Sequence, residues 1–585
     1  MVVKYSRPHI RYCIGILSVL GLTGCMIIFS PQARQFVIHL IEQRVLHREV
    51  NYMDIWMNLA LAYAKMGVFL ILTVDFFVLL PYGKQFFRGV STDIRSIVAG
   101  INLKLLWKPF LIISGIYLLG LFCIVRANVP YIDDMARSVE GYRYFNWSRH
   151  LSDLLSIFVH ADIHVTDISP LPQLLAALLL GIASMTAVYV LNDGKITVPT
   201  LLASIPLGLS PYYLECLSFK FDAPYMALSV LASVVPFLFV RSRRAFVACS
   251  IPALLVMSMT YQASSGIYLM MAILLAYRYW NDRQSCKTVF SFLGVSLLSF
   301  CCAMSVFGGI FMLPSESYAS TAMNDADALF GGAWANLHKY FLLIRNDFGM
   351  IWKIVIAVIC VLFVFQKTKK SKPIAVIVSL CTLALLFVAS YGIYLLLQTP
   401  LFSPRAMFGF GVFLALTSIC VAERRGFFNV VAVFMLNWCL LTFAFSYGNA
   451  LADQHRYAQF RTEMLLHDLS DLFPDRTREE MSVQIKGAID FAPSVRNIAR
   501  RNPVITRLTP LQLRQGDIFG YYYLLEYFNW GIQEQINDFW KQDVYVDFRT
   551  LDMPVLRDTY YHTILSDGER ILVELKTHHH ECTQP

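Results

Sequence analysis

Apolar runs recur along most of this chain, and they constrain its fold more than any other feature. A helix crosses the hydrocarbon core of a bilayer with about 20 residues. Thirteen windows reach or approach that length: 12–30, 58–80, 109–126, 171–191, 197–217, 223–240, 245–260, 266–281, 288–312, 350–366, 374–398, 407–422 and 427–447. Charged residues make up 15% of the 585, against about 25% in a soluble domain. The expected fold is therefore an all-α polytopic membrane protein of about 13 transmembrane helices. The first window is read as a span and not a signal peptide, because no A-x-A-like site follows it. The 13 cysteines lie almost entirely in apolar stretches and form no C-x-x-C pair. Neither a disulfide framework nor a zinc site is indicated.

Orientation follows from the basic residues in the connections, which stay on the cytoplasmic side. With the N-terminus inside, the inside segments hold 21 Lys and Arg in 68 residues. The short outside segments hold 10 in 129. RSRR at 241–244, KTKKSK at 367–372 and ERR at 423–425 are the plainest cytoplasmic staples, positioned to touch anionic lipid. Residues 127–170 are then outside, as is everything after 447. That tail carries 15 Lys and Arg against 20 Asp and Glu. It reads as a small α/β unit, with a helix over 450–472 and strand-like SVQIKG, PVITRL, VYVDF and ILVEL. An aromatic-rich helix is expected over 521–540, where Tyr521, Tyr522, Tyr523, Tyr527, Trp530 and Trp540 would form the tail's core or stack on sugar rings. Three histidines near the end, THHHECTQP, read as a disordered terminus. The domain expectation is a hairpin and cytoplasmic loop over 1–108, a membrane catalytic unit over 109–447 and an outer domain over 448–585.

The outer stretch 128–150, NVPYIDDMARSVEGYRYFNWSRH, concentrates reactive side chains. Asp133 and Asp134 stand at the mouth of an apolar window. Arg137, Glu140, Arg143 and Arg149 follow, among Tyr142, Tyr144, Phe145 and Trp147. A carboxylate can take a proton from an acceptor hydroxyl, and guanidinium forks can hold phosphate. A solvated loop whose acids pair with its arginines is the competing reading. Lys220 and Asp222 occupy a very short outer turn, SFKFDAP at 218–224, and Tyr261 and Gln262 lie at the same level in MTYQASSG. Arg405 sits in a Pro-flanked outer turn, TPLFSPRAM, as a phosphate partner. The segment 313–349 has apolar pieces that would re-enter the membrane over a site. HADIHVTD at 160–167 offers two histidines four apart, read chiefly as a polar loop and otherwise as a metal site.

Absences narrow the chemistry. The chain has no G-x-G-x-x-G after a strand and no G-x-x-x-x-G-K-[ST] loop, and no inside segment exceeds 28 residues. A cytosolic nucleotide-sugar or ATP domain does not fit. A sugar transferase of this shape must use a donor already in the membrane, and a polyprenyl-phosphate sugar meets that need. Nothing in the charge pattern points to nucleic acid. A polymerase or ligase of lipid-linked glycans, and a lipid-linked glycan flippase or transporter, are the alternatives. A transporter would carry ionisable residues near mid-membrane in broken helices.

At IDDMARSVEGYRYFNWSRHLSDLL (132–155), SFKFDAPYMALSV (218–230), MTYQASSGIYL (259–269) and in its long outer tail, the chain resembles the serotype-converting O-antigen glucosyltransferases of the Gtr type. The resemblance covers roughly 127–447. It implies a GT-C-like enzyme of the bacterial inner membrane, with a cytoplasmic N-terminus and a periplasmic C-terminus. Its donor would be undecaprenyl-phosphate-glucose and its acceptor the O-antigen polysaccharide of lipopolysaccharide. A donor-lipid flippase and a donor-synthesising transferase would be its partners. The donor is normally the β anomer and the products are often α-linked, so one inverting displacement with one base is implied. Asp133, ahead of Asp134, is the expected base. Arg137, Glu140, Arg149, Lys220, Asp222, Tyr261, Gln262 and Arg405 are the expected substrate-binding residues. No cofactor is certain. A divalent metal, Mg or Mn, shared by the carboxylates stays open.

Overall fold

Prolines and small residues decide how the apolar windows fold. The structure, a computed structural model, describes residues 53–78, 80–141, 148–312, 322–365, 372–424, 426–474, 482–515, 527–528 and 547–577. The window 12–30, the aromatics 142–147, the staple at 367–371, Tyr521–Tyr523, Trp530, Trp540 and the histidines 578–580 lie outside them. Six described helices are long and apolar enough to cross a membrane, and up to eight if two bent pairs each count as one. The six are Leu103–Ala127, Leu171–Leu191, Arg243–Thr260, Cys286–Phe311, Pro404–Ala422 and Phe427–Leu472.

The window 197–217 is not one span. It breaks into the short helices Val198–Leu202, Pro206–Leu209 and Pro211–Ser218. Each carries a proline in its first turn, at Pro199, Pro206 and Pro211, because a proline ring clashes with the preceding turn. Such broken backbone is tolerated at membrane depth only where protein covers it; Ala203 through Ala227 are buried without exception, and Val198 at the start of the element is exposed. The break turns the chain so that Glu215, Phe219 and Asp222 face one place.

Small residues let the helices around this element approach closely. A Cβ on Gly181 would stand 2.3 Å from the Ser114 hydroxyl of Leu103–Ala127. One on Gly448 would stand 2.5 Å from Cys123 of that same helix. Helix Gly409–Ala422 is buried along its whole length and forms the centre of the bundle. The bent pair Leu329–Asp347 and Met350–Val364 turns by 120°. Asn336 of that pair donates to the carbonyls of Leu395 and Leu397, at 3.0 and 2.8 Å. Among the basic connections, Arg278 holds Glu423 through two hydrogen bonds of 2.8 and 3.1 Å, and Ser242 donates to Asp93 at 2.6 Å.

The last apolar window does not end at the expected tail boundary. Helix Phe427–Leu472 runs 46 residues, so the span and the expected tail helix over 450–472 are one element. No proline interrupts it. Its C-terminal part packs on a four-stranded sheet of order β1-β4-β3-β2: β1 Ser482–Lys486, β2 Val555–Asp558, β3 His562–Ser566 and β4 Arg570–Leu575. β1 runs parallel to β4, pairing Gln484 with Leu572, and the other pairs are antiparallel. SVQIKG and ILVEL are strands as expected. PVITRL is not: Ile505–Leu508 is a helical turn begun at Pro503, although Val, Ile and Thr favour strands. Tertiary contacts override that preference, since the Val504 N–H donates to the Asp347 carbonyl at 3.2 Å.

The tail and the membrane unit exchange core residues. Met135, two residues after Asp133, packs with Leu465, Leu469, Ile485, Leu513 and Val573 in the tail's core. Val495, Val504, Ile505 and Leu508 of the tail belong instead to the large membrane-unit core. The carboxylate stretch is thus clamped between the two.

Candidate active site

A cavity of about 520 Å3 opens where five separate stretches meet. The turn 130–135 brings Asp133, the start of the next helix brings Arg149, the broken element brings Glu215, Phe219 and Asp222, the turn 402–405 brings Arg405, and the tail brings 506–514. Among the described residues its wall carries four arginines, Arg149, Arg405, Arg507 and Arg514, and three acids, Asp133, Glu215 and Asp222.

The acids and arginines are matched in pairs. Arg137 Nη1 lies 2.7 Å from Asp222 Oδ1, and Arg149 Nη1 lies 3.7 Å from Asp222 Oδ2. Burial alone would raise the Asp222 carboxyl, but the Arg137 and Arg149 guanidiniums outweigh it and hold it below the usual range. Arg405 Nη1 is 3.1 Å from Glu215 Oε1, its backbone N–H donates to the same carboxylate, and Ser403 Oγ donates to both oxygens at 3.0 and 3.1 Å. The three membrane-side guanidiniums also stack on rings. Arg137 lies 5.0 Å over Phe221, Arg149 4.8 Å over Tyr261 and Arg405 5.2 Å over Phe219. Planar cations pinned between a carboxylate and a ring point their remaining N–H groups in fixed directions, as anion recognition requires.

The two neighbouring aspartates face different ways. Asp133 is 7% exposed and lines the cavity. Asp134 is fully buried, and its Oδ2 accepts the backbone N–H of Tyr131 at 3.0 Å and of Lys220 at 2.9 Å. It ties the turn that carries Asp133 to the turn that carries Asp222. Its Oδ1 has no hydrogen-bond partner. Burial, and then the adjacent Asp133, push its carboxyl well above the usual range. The residue before the pair, Ile132, is β-branched yet has φ 51°. Such strain persists only where surrounding contacts enforce it, and it concentrates at functional sites.

Other expected residues stand behind or beside this cavity. Tyr261 is buried beneath Arg149, and its hydroxyl donates to the Arg405 carbonyl at 3.0 Å. Arg137 reaches the site through Asp222. Gln262 follows in a one-turn helix outside the cavity wall, and Glu140 is exposed at the far end of Asp134–Glu140. Lys220 turns away: its Nζ pairs with Asp167 Oδ2 at 2.8 Å and it lines a second cavity of about 240 Å3 with Gln173 and Leu451. His160 ends its helix, so His160 and His164 do not share a helical face. Among the described residues no group of three or more His, Cys, Asp or Glu is placed to hold a metal ion.

Three contributors were not anticipated. Glu215 was hidden inside a window read as a span; a lone carboxylate in apolar sequence is itself a signal. Arg507 and Arg514 belong to no motif. Arg507 forms an ion pair with Asp347, which also accepts from the Tyr212 hydroxyl at 2.6 Å.

Residues 122–416 match a family model described as Glucosyl transferase GtrII. This segment contains every membrane-side residue of the cavity and spans just over half of the chain. Over 429 residues the chain is 22% identical to the uncharacterized 55.3 kDa protein in gtrB 5'region of Salmonella phage P22, covering 68% of this chain and 86% of that relative. No solved structure matches it. The chain belongs to the GtrII glucosyl transferase family, and it is a glycosyltransferase.

Proposed function

We propose that this chain is a multi-pass enzyme of the bacterial inner membrane that transfers glucose from undecaprenyl-phosphate-glucose to O-antigen repeats of lipopolysaccharide in the periplasm. The observation that carries this reading is the convergence of the outer connections and the tail on one cavity holding a buried carboxylate and paired arginines. Its N-terminus is cytoplasmic and its C-terminus periplasmic. Residues 1–108 form an N-terminal hairpin and cytoplasmic loop, 109–447 the catalytic membrane unit and 448–585 the periplasmic domain. A flippase that delivers the donor lipid and a transferase that makes it complete the system.

Asp133 is the base. Its carboxylate takes the proton of the acceptor hydroxyl as that oxygen attacks the anomeric carbon. The bond from that carbon to the phosphate oxygen breaks, and polyprenyl phosphate leaves with the electron pair. One displacement inverts the anomeric configuration and needs no covalent intermediate. Arg149 and Arg405 receive the charge that develops on the leaving phosphate. Asp134 acts through Asp133, by fixing the strained turn at Ile132. Arg137 and Tyr261 position Asp222, Arg149 and the 402–405 turn.

The test is the glucose content and linkage of O-antigen from cells with and without this chain. The reading expects added α-linked glucose that disappears in Asp133→Asn at normal protein level. Unchanged glucosylation with altered O-antigen chain length would replace it with a polymerase or ligase.

A further inference from the structure

The tail-side wall of the cavity contains polar atoms that nothing in the fold uses. Thr509 is 3% exposed and Gln512 is 6% exposed, both line the cavity, and neither Thr509 Oγ1 nor Gln512 Oε1 has a hydrogen-bond partner. Buried polar atoms are nearly always satisfied, so two orphans on one wall call for a ligand that supplies the missing bonds. The segment is firmly placed for that role. Leu508 accepts from the buried Tyr131 hydroxyl at 2.7 Å, and the Ile489 N–H donates to the Leu513 carbonyl at 2.9 Å. Leu513, beside Gln512, is held at φ 53° with its side chain fully buried in the tail's core.

We infer that Thr509 and Gln512 form the acceptor subsite, and that the group they bind is a hydroxyl-bearing pyranose of the polysaccharide. This rests on the glucosyl-transfer reading above. The Gln512 oxygen separates acceptor from donor phosphate, whereas the Thr509 hydroxyl can pair with either. A carboxamide oxygen only accepts, and an ionised phosphate has only acceptors to offer it, whereas sugar hydroxyls donate. The opposite wall holds the paired arginines suited to phosphate, and it is built from the membrane unit, where the lipid of the donor is anchored. The wall that holds Thr509 and Gln512 comes from the tail, and of its two arginines Arg507 is already paired with Asp347. Pro510 and Leu511, also in the wall, offer apolar surface to the C–H face of a ring. The acceptor sugar lies between this wall and Asp133, which also lines the cavity.

The experiment uses the full-length protein in detergent, with undecaprenyl-phosphate-glucose and purified O-antigen polysaccharide. Acceptor KM and kcat are measured by glucose transfer, and donor affinity by equilibrium binding of radiolabelled donor. Gln512→Leu and Thr509→Val are each expected to raise acceptor KM about fivefold to tenfold, the size of one lost hydrogen bond, with donor affinity unchanged. Thr509→Ser keeps the hydroxyl and should keep the wild-type KM. If Thr509→Val and Thr509→Ser behave alike, or if donor affinity falls in step with acceptor KM, the subsite assignment is overturned. A wild-type protein that moves no glucose between these substrates overturns the parent reading and this one together. An active wild type matched by both variants overturns this one alone.

Discussion

The two walls of the cavity are built from different interactions. The membrane-side wall is charged and internally paired: Asp222 is held by Arg137 and Arg149, and Glu215 by Arg405 and Ser403. The tail-side wall has neutral oxygens left without partners at Thr509 and Gln512, and its Arg507 is satisfied by Asp347 from the other side. Pairing keeps the first wall's guanidiniums fixed before a substrate arrives. Charge that develops during the reaction then meets donors that need not reorganise. Unpaired neutral atoms do the opposite job. Left unpaired, they favour a ligand that brings the matching hydroxyl over one that lacks it. On the mechanism proposed above, catalytic strength belongs to the membrane side and selectivity to the tail side.

The sharpest way to break this comparison is at the two neighbouring aspartates. Asp133→Asn removes the proton acceptor and keeps the shape, so a loss of about 10²–10⁴ in kcat is expected. Asp134→Asn keeps one oxygen able to accept from both Tyr131 and Lys220, and it should retain activity within about tenfold. Asp134→Ala leaves both buried N–H groups unpaired, at about 1–3 kcal/mol each, and should lower the yield of folded protein. Glucosylation assays with protein levels checked by immunoblot read all three. Equal losses in the two Asn variants would remove the distinction between base and clamp.

A second, smaller effect separates two of the basic residues expected to bind substrate, Arg149 and Lys220. Arg149→Ala should cost about 10²–10³ in rate, as removal of one preorganised charge-stabilising donor does. Lys220 faces another cavity and pairs with the exposed Asp167, so Lys220→Ala should cost about tenfold or less. A larger loss at Lys220 than at Arg149 would relocate the leaving phosphate to the second cavity.

How much of this was legible in the sequence depended on which interaction placed each residue. Asp133, Arg149, Asp222 and Arg405 were readable because they are charged residues in connections beside apolar windows, where a charge stands out. Their separation into wall residues and supports was not readable. Whether Asp133 or Asp134 faces the cavity depends on the strained turn at Ile132, and Arg137 sits behind Asp222 only because the broken helices 198–218 deliver Asp222 there. The three prolines that break the window 197–217 were visible, but length and hydropathy outweighed them. The tail was least legible. β2 and β3 were missed, and PVITRL, strand-like by composition, is turned into a helix by its docking on Asp347. Contacts between distant parts of a chain leave no local periodicity to read.

That docking is the third place to press. Arg507→Met leaves Asp347 buried without its cation and frees the 503–514 segment, so a loss of about 1–3 kcal/mol in thermal unfolding is expected. Faster proteolysis after residue 500 should accompany it. Replacing Asp347 by Asn as well should recover part of the loss, because a neutral pair leaves no buried charge. If Arg507→Met unfolds like wild type and only acceptor KM changes, Arg507 belongs to the recognition wall and not to the joint between the two units.

The smallest expected effect is a pH dependence that distinguishes the clamp from the paired wall. Asp134 has its folded pKa raised, by burial first and by Asp133 second. A carboxyl shifted this way binds its proton more tightly in the folded state. Its contribution is fully present below the unfolded value of about 3.9 and is lost as pH rises through the folded pKa. Asp222 is shifted down because Arg137 and Arg149 outweigh its burial, so its contribution has the opposite sign. That contribution is present above about 3.9 and is lost as pH falls through the folded pKa. Thermal unfolding of the wild type and of Asp134→Asn, followed by tryptophan fluorescence from mildly acid to mildly alkaline pH, isolates the Asp134 contribution. The wild type should lose ground relative to the variant as pH rises. Asp222→Asn should do worst relative to wild type at neutral pH and converge with it on acidification. Parallel curves for wild type and Asp134→Asn would mean that Asp134 is ionised in the folded protein. The carboxylate held between Tyr131 and Lys220 would then carry a charge next to Asp133, and its claim to be the base would reopen.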